Sequence, residues 1–457
     1  MRTRALLVLL AVAAVAGGGA ALGSSHQRPL VTVTPAGAYS GAWFCPHGGG
    51  EGWHVELSVT NPGSAPVSVR ITTLGKSGSA PPRRVVVPKA SSIRIPVKAD
   101  TRGATTEVEY FGGWVGVSWI ARAGGRESGI ASEPCSSTLG RTWYLPDNTT
   151  IRGEDAWAIV MNPTAQPAIF NVRLDTEEQS ILTNDWAEFV LKPGRSVAFH
   201  VNQKALGRET VAVEVLADVG RVAAASLGAS HQGGIRASLG IPSLERGVVL
   251  PGGPDTGRSE IVVDNGARRA ATIQGTLLSR ASPQALGQFR GEEVRPGLAR
   301  TYDVSGQPDA AISLGEASGG GIAVARRTFG PNGDEGSTAG GEPGQAWMVS
   351  SAATGSRDTW RLLLANPGRT TATVKLWLFS AAGLSGKLSP RLVRVPPGRT
   401  RAVAADFTTA ARLGAILAVA TTGTFVPLAA SSTSDGTGYA TATGVPVPSR
   451  RLEPSFR

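Results

Sequence analysis

Cys45, His47 and His54 fall together in the stretch GAWFCPHGGGEGWH, residues 41–54, with Trp43 and Trp53 between and beside them. These residue types at this spacing offer three chemistries. A thiolate next to an imidazole is a nucleophile with its base. Cys45, His47 and His54, joined by the second cysteine Cys135, have the ligand types of a zinc site. Two cysteines near the two ends of one exported domain pair as a disulfide. The third reading is favoured, because no glycine-rich oxyanion segment or orienting carboxylate accompanies the histidines. Such a bond closes a loop of about 90 residues, worth on the order of 4 kcal/mol in the chain-entropy account.

Other catalytic patterns fail on inspection. HExxH and GxSxG are absent, and GKS at 75–77 has Arg70 where a phosphate loop needs glycine. No serine stands three residues before a lysine, and no two aspartates stand two apart, so serine–lysine enzymes and calcium loops are not indicated. His200 and His231 stand alone, and Asp334 and Glu335 read as solvated spacer residues. The expectation is therefore no catalytic, cofactor or metal residue, no cofactor, and no enzyme. The remaining lead is Trp114 and Trp119 in FGGWVGVSW. They lie in opposite alternation phases, so on a regular strand one faces outward, free to stack on a sugar or fill a partner's pocket. The competing reading buries both.

The elements that must hold these residues are strands. Of 457 residues, 59 are Gly and 30 Pro, while only 17% are charged, a mixture that suits short strands and tight turns. The formal net charge of +11 comes from scattered arginines with no long basic run, so nucleic acid is not an expected partner. Arg2 and Arg4 precede an apolar run from Ala5 to Gly23, the pattern of an export signal or a signal anchor. Everything after it is expected outside the cytoplasm, anchored by that segment or secreted.

An internal repeat dominates the chain. Asn61, Asn162, Asn265 and Asn366 are spaced by 101, 103 and 101 residues, in the sequences Asn-Pro-Gly, Asn-Pro-Thr, Asp-Asn-Gly and Asn-Pro-Gly. Trp43, Trp143, Val248 and Trp347 precede them in order, and Pro88, Pro193, Pro296 and Pro397 follow. Around the first turn Val55, Leu57 and Val59, then Val67, Val69 and Ile71, alternate with polar residues, which places one face in a core and the other in water. In the turn, Pro sets φ at the second position and Gly accepts positive φ at the third. The third copy is the least regular.

The expected fold is all-β: tandem immunoglobulin-like sandwiches in a string, four copies of about 100 residues, with a four-bladed propeller as the competing architecture. The expected boundaries are a leader at 1–23, a stalk at 24–40, repeats at 41–138, 139–245, 246–327 (divergent) and 346–452, and a flexible tether at 328–345.

The pieces WFCP with SVTNPGSAPVSVRI, WYLPDNTTIRGEDAWAIVMNP and RLLLANPGRTTATVKLWL resemble an uncharacterised family of exported actinobacterial proteins with tandem W-Y-x-P to N-P-G repeats. The resemblance implies an envelope location and carries no functional residues. The expected role is a non-enzymatic extracytoplasmic scaffold binding a wall glycan, an anionic polymer or an envelope protein. The alternative is an accessory or regulatory subunit of an envelope glycan-processing enzyme, and after that an enzyme with a dispersed site.

Overall fold

Alternating apolar residues and frequent turns fold the described residues mainly as antiparallel strands. The computed structural model describes residues 40–448 and 452, apart from 125–126, 232–233, 253–257, 307–308, 331–334, 354–357, 386–390, 404–413 and 437. The leader and the stalk up to residue 39 lie outside the described residues. No helix among the described residues is long and apolar enough to cross a membrane.

In the first segment of chain the strands are β1 (Ser40–Cys45), β2 (His54–Asn61), β3 (Val67–Gly75), β4 (Gly78–Ser79), β5 (Arg83–Val87), β6 (Ser91–Val97), β7 (Thr105–Phe111), β8 (Gly116–Ala123) and β9 (Gly129–Pro134). They form two sheets, one ordered β1-β7-β3-β4 with β5 also on β3, the other β6-β2-β8-β9. The same two orders recur in the strands of 142–239, 247–339 and 346–446, the last with Val445–Pro446 added beside Ala346–Ser350, giving eight sheets among the described residues. The third segment shows both orders among its described residues, despite its divergent sequence. Each sheet's inward side chains join those of its partner sheet in one apolar cluster: Val55, Leu57 and Val59 meet Val67, Val69 and Ile71. Phe170, Val172 and Leu174 meet Ala158 and Val160.

The recurring asparagine is a staple more than a turn residue. Asn61, Asn162 and Asn366 each donate from Nδ2 to the carbonyl four residues on, all at 2.8 Å, and Asn265 does so at 2.9 Å. Each also donates to the strand before the proline marker: to Val87, Leu191, Val294 and Val395. One buried amide thus ties both arms of a loop, which is why it recurs where proline and glycine do not. The expected positive φ at Gly63 and Gly368 does not occur; the left-handed positions are Gly194, Gly297 and Gly398 in the later marker, with φ of 64°, 68° and 64°. In the first segment Ala90 takes that place, at φ 49°. The recurring tryptophans have one role as well. The Nε1 of Trp43, Trp143 and Trp347 donates to the carbonyls of Val115, Val222 and Phe425 at 2.8, 2.7 and 3.0 Å.

The expected string closes on itself. Tyr39–Arg457 is one compact unit, in which the first-type sheet of each segment lies against the second-type sheet of the next. Phe44 and Leu74 pack into the second segment's core. Val249, Leu278 and Ala311 pack on Ala365 and Val426. Met348, Trp377, Phe379 and Leu417 of the fourth segment join the first segment's cluster, and Arg94 Nη2 donates to the carbonyls of Ser351 and Ala353 at 3.0 and 2.6 Å. The innermost strands, β9, Gly234–Leu239, Glu335–Ala339 and Tyr439–Ala442, each touch the next, and the last touches the first. Around this inner wall Leu239 N donates to Glu133, Arg236 to Glu335, and Thr338 Oγ1 to Thr441 Oγ1, and Ile130 packs on Ala440.

Ring closure corrects two expectations. Ser58 and Thr60, expected in water, are fully buried, because the face opposite the core is a seam. The stretch 328–345 is not a tether: it carries the inner strand Glu335–Ala339, and Glu335 is buried in an ion pair rather than solvated. Its small residues fit the crowded axis, where a Cβ on Gly336 would meet Thr441 Oγ1 at 2.7 Å.

Candidate functional site

Cys45 and Cys135 are joined, with Cα atoms 4.5 Å apart, so neither sulfur is available to attack a substrate or bind zinc. His47 is fully buried beside them. Its Nδ1 lies 2.6 Å from the Gly48 carbonyl, which only accepts, so Nδ1 carries the proton and Nε2 accepts from the Thr106 hydroxyl at 2.9 Å. Burial lowers its pKa to about 4, against the opposing pull of that Gly48 bond. It is a neutral structural histidine. His54 is exposed at the start of β2.

The tryptophans give no stacking platform. All ten are buried, Trp114 at 6% and Trp119 at 0% exposure. Trp114 precedes β8, so the strand alternation that was to turn one ring outward does not extend to it, and it lies edge-on to Trp43. Trp119 sits in the first core near His47.

The structure instead assembles a row at the seam of the first two segments. Arg102, in the loop before β7, places its guanidinium 5.0 Å from the Trp53 ring and 4.4 Å from the Trp157 ring. Trp157 stacks on His200 at 5.1 Å, and His200 Nε2 lies 3.0 Å from Asp155 Oδ1. Glu127 receives Trp53 Nε1 at 2.9 Å and also pairs with Arg102. Strand pairing explains part of this order, since Trp157 and His200 face each other across two neighbouring strands. The row borders a cleft of about 740 Å³ whose rim carries Glu51, Glu127, Asp155 and His231. Sandwiching a guanidinium between indoles fixes its plane, while the carboxylates offer hydrogen-bond acceptors. Such a cleft suits a hydroxyl-rich ligand and repels an anionic one. Nothing in the sequence signalled it, because Trp53, Arg102, Glu127, Trp157 and His200 come from five separate places in the chain.

A second cavity, about 440 Å³, lies where the four inner strands end and takes residues from every segment, among them Glu133, Leu239, Gly340 and Gly444. Burial pushes the Glu133 carboxyl well above the usual range.

Among the described residues one group has metal-ligand spacing: Asp175, Glu214 and Asp264, all buried, with one oxygen from each within 4.8 Å of the others. Burial and the neighbouring Asp175 carboxylate push Glu214 up to about 8, and burial raises Asp264 well above its ordinary value.

A family model described as a family of unknown function, DUF5719, matches residues 104–339, more than half of the chain. The chain belongs to this DUF5719 family. The matched residues run from just before β7 to the end of the inner strand Glu335–Ala339, so the family's signature ends at the ring's inner wall. A comparison with curated proteins finds no match. One solved structure, a tetra-tandem repeat in the extending region of a large adhesion protein, is 12% identical, covering 85% of this chain and 93% of that one. Its TM-score of 0.10 carries no argument.

Proposed function

We propose that this DUF5719 chain is a non-enzymatic, extracytoplasmic envelope scaffold. In this reading four immunoglobulin-like sandwiches form the ring, held at an actinobacterial membrane by the N-terminal segment or released from it. The ligand is a neutral, hydroxyl-rich wall glycan, bound in the cleft between the first two segments. The observation that carries this reading is the Trp53–Arg102–Trp157–His200 row bordered by Glu51, Glu127 and Asp155. An acidic rim turns away anionic polymers, whatever the net charge of +11 does at longer range.

The test is co-sedimentation of the full chain with isolated cell wall at low and high salt, repeated with Asp155→Asn and Trp157→Ala. Retention that survives high salt and drops roughly tenfold in Asp155→Asn supports the reading; a single lost hydrogen bond to a charged group is worth about that much. No retention of the unaltered chain removes it. Capture of an envelope glycan-processing enzyme by crosslinking, with no glycan retention, favours the accessory-subunit alternative.

A further inference from the structure

The first-type sheet of the second segment meets the third segment through a cluster of three carboxylates, which the matching places of the other three seams do not carry among the described residues. Tyr144, Glu214 and Arg173 lie side by side across three strands, and Asp175 is two residues along. Asp264, from the next segment's second-type sheet, faces them. Register assigns the matching places elsewhere. The third-to-fourth seam has Leu278, Ser313 and Ala365 where this one has Asp175, Glu214 and Asp264. The fourth-to-first seam has Phe379, Leu417 and Thr60, and the first-to-second has Leu74, Glu107 and Met161. The common solution is mostly apolar. One seam replaces it with three buried carboxylates.

That replacement is expensive unless something balances it. Arg173 supplies one positive charge, 3.3 Å from Asp175 and paired with Glu214. With all three carboxylates ionised, as an ion between them requires, the one guanidinium leaves two negative charges. Among the described residues neither oxygen of Asp264 has a hydrogen-bond partner, although the residue is fully buried, and Asp175 Oδ2 and Glu214 Oε1 have none either. The irregular Asp-Asn-Gly also finds its reason here. A Cβ on Gly266 would meet Glu214 Oε1 at 2.0 Å and Tyr144 Cε1 at 2.5 Å, so the proline found after the other asparagines does not fit.

We propose that Asp175, Glu214 and Asp264 form a site for one hard divalent cation, Ca²⁺ by preference, which fastens the second segment to the third. Three carboxylate oxygens within 4.8 Å of one another can all touch a single ion, since Ca²⁺–oxygen distances of about 2.4 Å allow ligands up to about 5 Å apart. Hard oxygen donors without sulfur or nitrogen select Ca²⁺, Mg²⁺ or Mn²⁺ over zinc. Ca²⁺ tolerates irregular carboxylate geometry, whereas Mg²⁺ demands a near-octahedral shell and keeps its waters, and two positive charges cancel the two left over.

The experiment is calorimetric titration of the chelator-treated full chain with Ca²⁺ and with Mg²⁺, beside thermal unfolding with and without each ion. The expected result is one Ca²⁺ per chain, bound more tightly than Mg²⁺, with a rise in Tm on loading. Asp264→Asn should weaken Ca²⁺ by at least about tenfold. A variant carrying Arg173→Thr, Asp175→Leu, Glu214→Ser and Asp264→Ala copies the third-to-fourth seam and should fold with no Ca²⁺ response. The proposal is overturned if the unaltered chain binds neither ion up to about 1 mM, the weak end for extracellular calcium sites. Unchanged affinity in Asp264→Asn or in the fourfold variant overturns it equally, because the ion would then sit elsewhere.

Discussion

Arg236 Nη1 donates to Glu335 Oε2 at 2.6 Å across the inner wall of the ring, and to Glu154 Oε2 of its own segment at 2.8 Å. Both acids are largely buried, and Arg236 is 2% exposed. Arg236→Met should therefore cost about 3–5 kcal/mol, mostly from two buried carboxylates that lose their close cation, Glu335 keeping only Arg327 at 4.0 Å. Arg236→Met combined with Glu335→Leu should recover at least half of that loss. Denaturant unfolding of the three proteins measures it; a single-variant loss below about 1 kcal/mol would show that the pair does not hold the wall.

Ala90 occupies a left-handed position that glycine fills in the other three segments. Its N–H donates to the Gly63 carbonyl at 2.9 Å, so the conformation is held by the loop. Ala90→Gly relieves about 1–2 kcal/mol of strain and adds about 0.5–1 kcal/mol of chain entropy to the unfolded state. The net expectation is a gain of up to about 1.5 kcal/mol, read as a rise in denaturation midpoint. Gly194→Ala should do the reverse.

His47 makes the fold sensitive to acid. The unfolded imidazole takes a proton near pH 6.5, while the buried one resists until about 4. Stability is thus full above pH 6.5, falls as pH drops through that window, and levels off below 4, for a total of about 3 kcal/mol. Glu107 has the opposite sign: burial raises it from 4.5 to about 7, so its contribution is lost as pH rises through that range. Unfolding midpoints of the unaltered chain and His47→Gln, compared from pH 7 to pH 4, isolate the histidine. Parallel curves would refute the assignment.

The Cys45–Cys135 bond stands where the second segment packs Leu145 against Gly240. Cys45→Leu with Cys135→Gly copies that packing without the cross-link. The double variant should be less stable by about 2–4 kcal/mol, the usual range for a lost disulfide. Added reductant should destabilise the unaltered chain and leave the variant unmoved.

What the sequence made legible was whatever repeats locally. Alternation in Val55–Val59 and in Ala168–Leu174 marked strands, and the spacing of Asn61, Asn162, Asn265 and Asn366 marked the unit. The cysteine pairing followed from the expectation of export and from position at the two ends of the first segment. Closure was not legible, because Ser58 and Thr60 carry no sign of which partner covers them. A second neutral face looks like a wet one. The stretch around Glu335–Ala339 misled for a related reason: strands crowded about an axis need Gly, Ala, Ser and Thr, the composition of a linker. The candidate cleft and the carboxylate cluster draw on residues from distant strands, and only the odd Asp264-Asn265-Gly266 hinted at either.

Closure also bears on how the molecule is made. The chain leaves its site of synthesis from the N-terminus, so β2 and β8 present a flank that stays bare until Met348, Trp377 and Leu417 arrive some three hundred residues later. A stacked solenoid can shield its ends with polar caps at any length. Here every unfinished product is a crescent with two adhesive lips, and loss of the final hundred residues yields not a shorter version of the protein but a piece primed to seize another copy of itself.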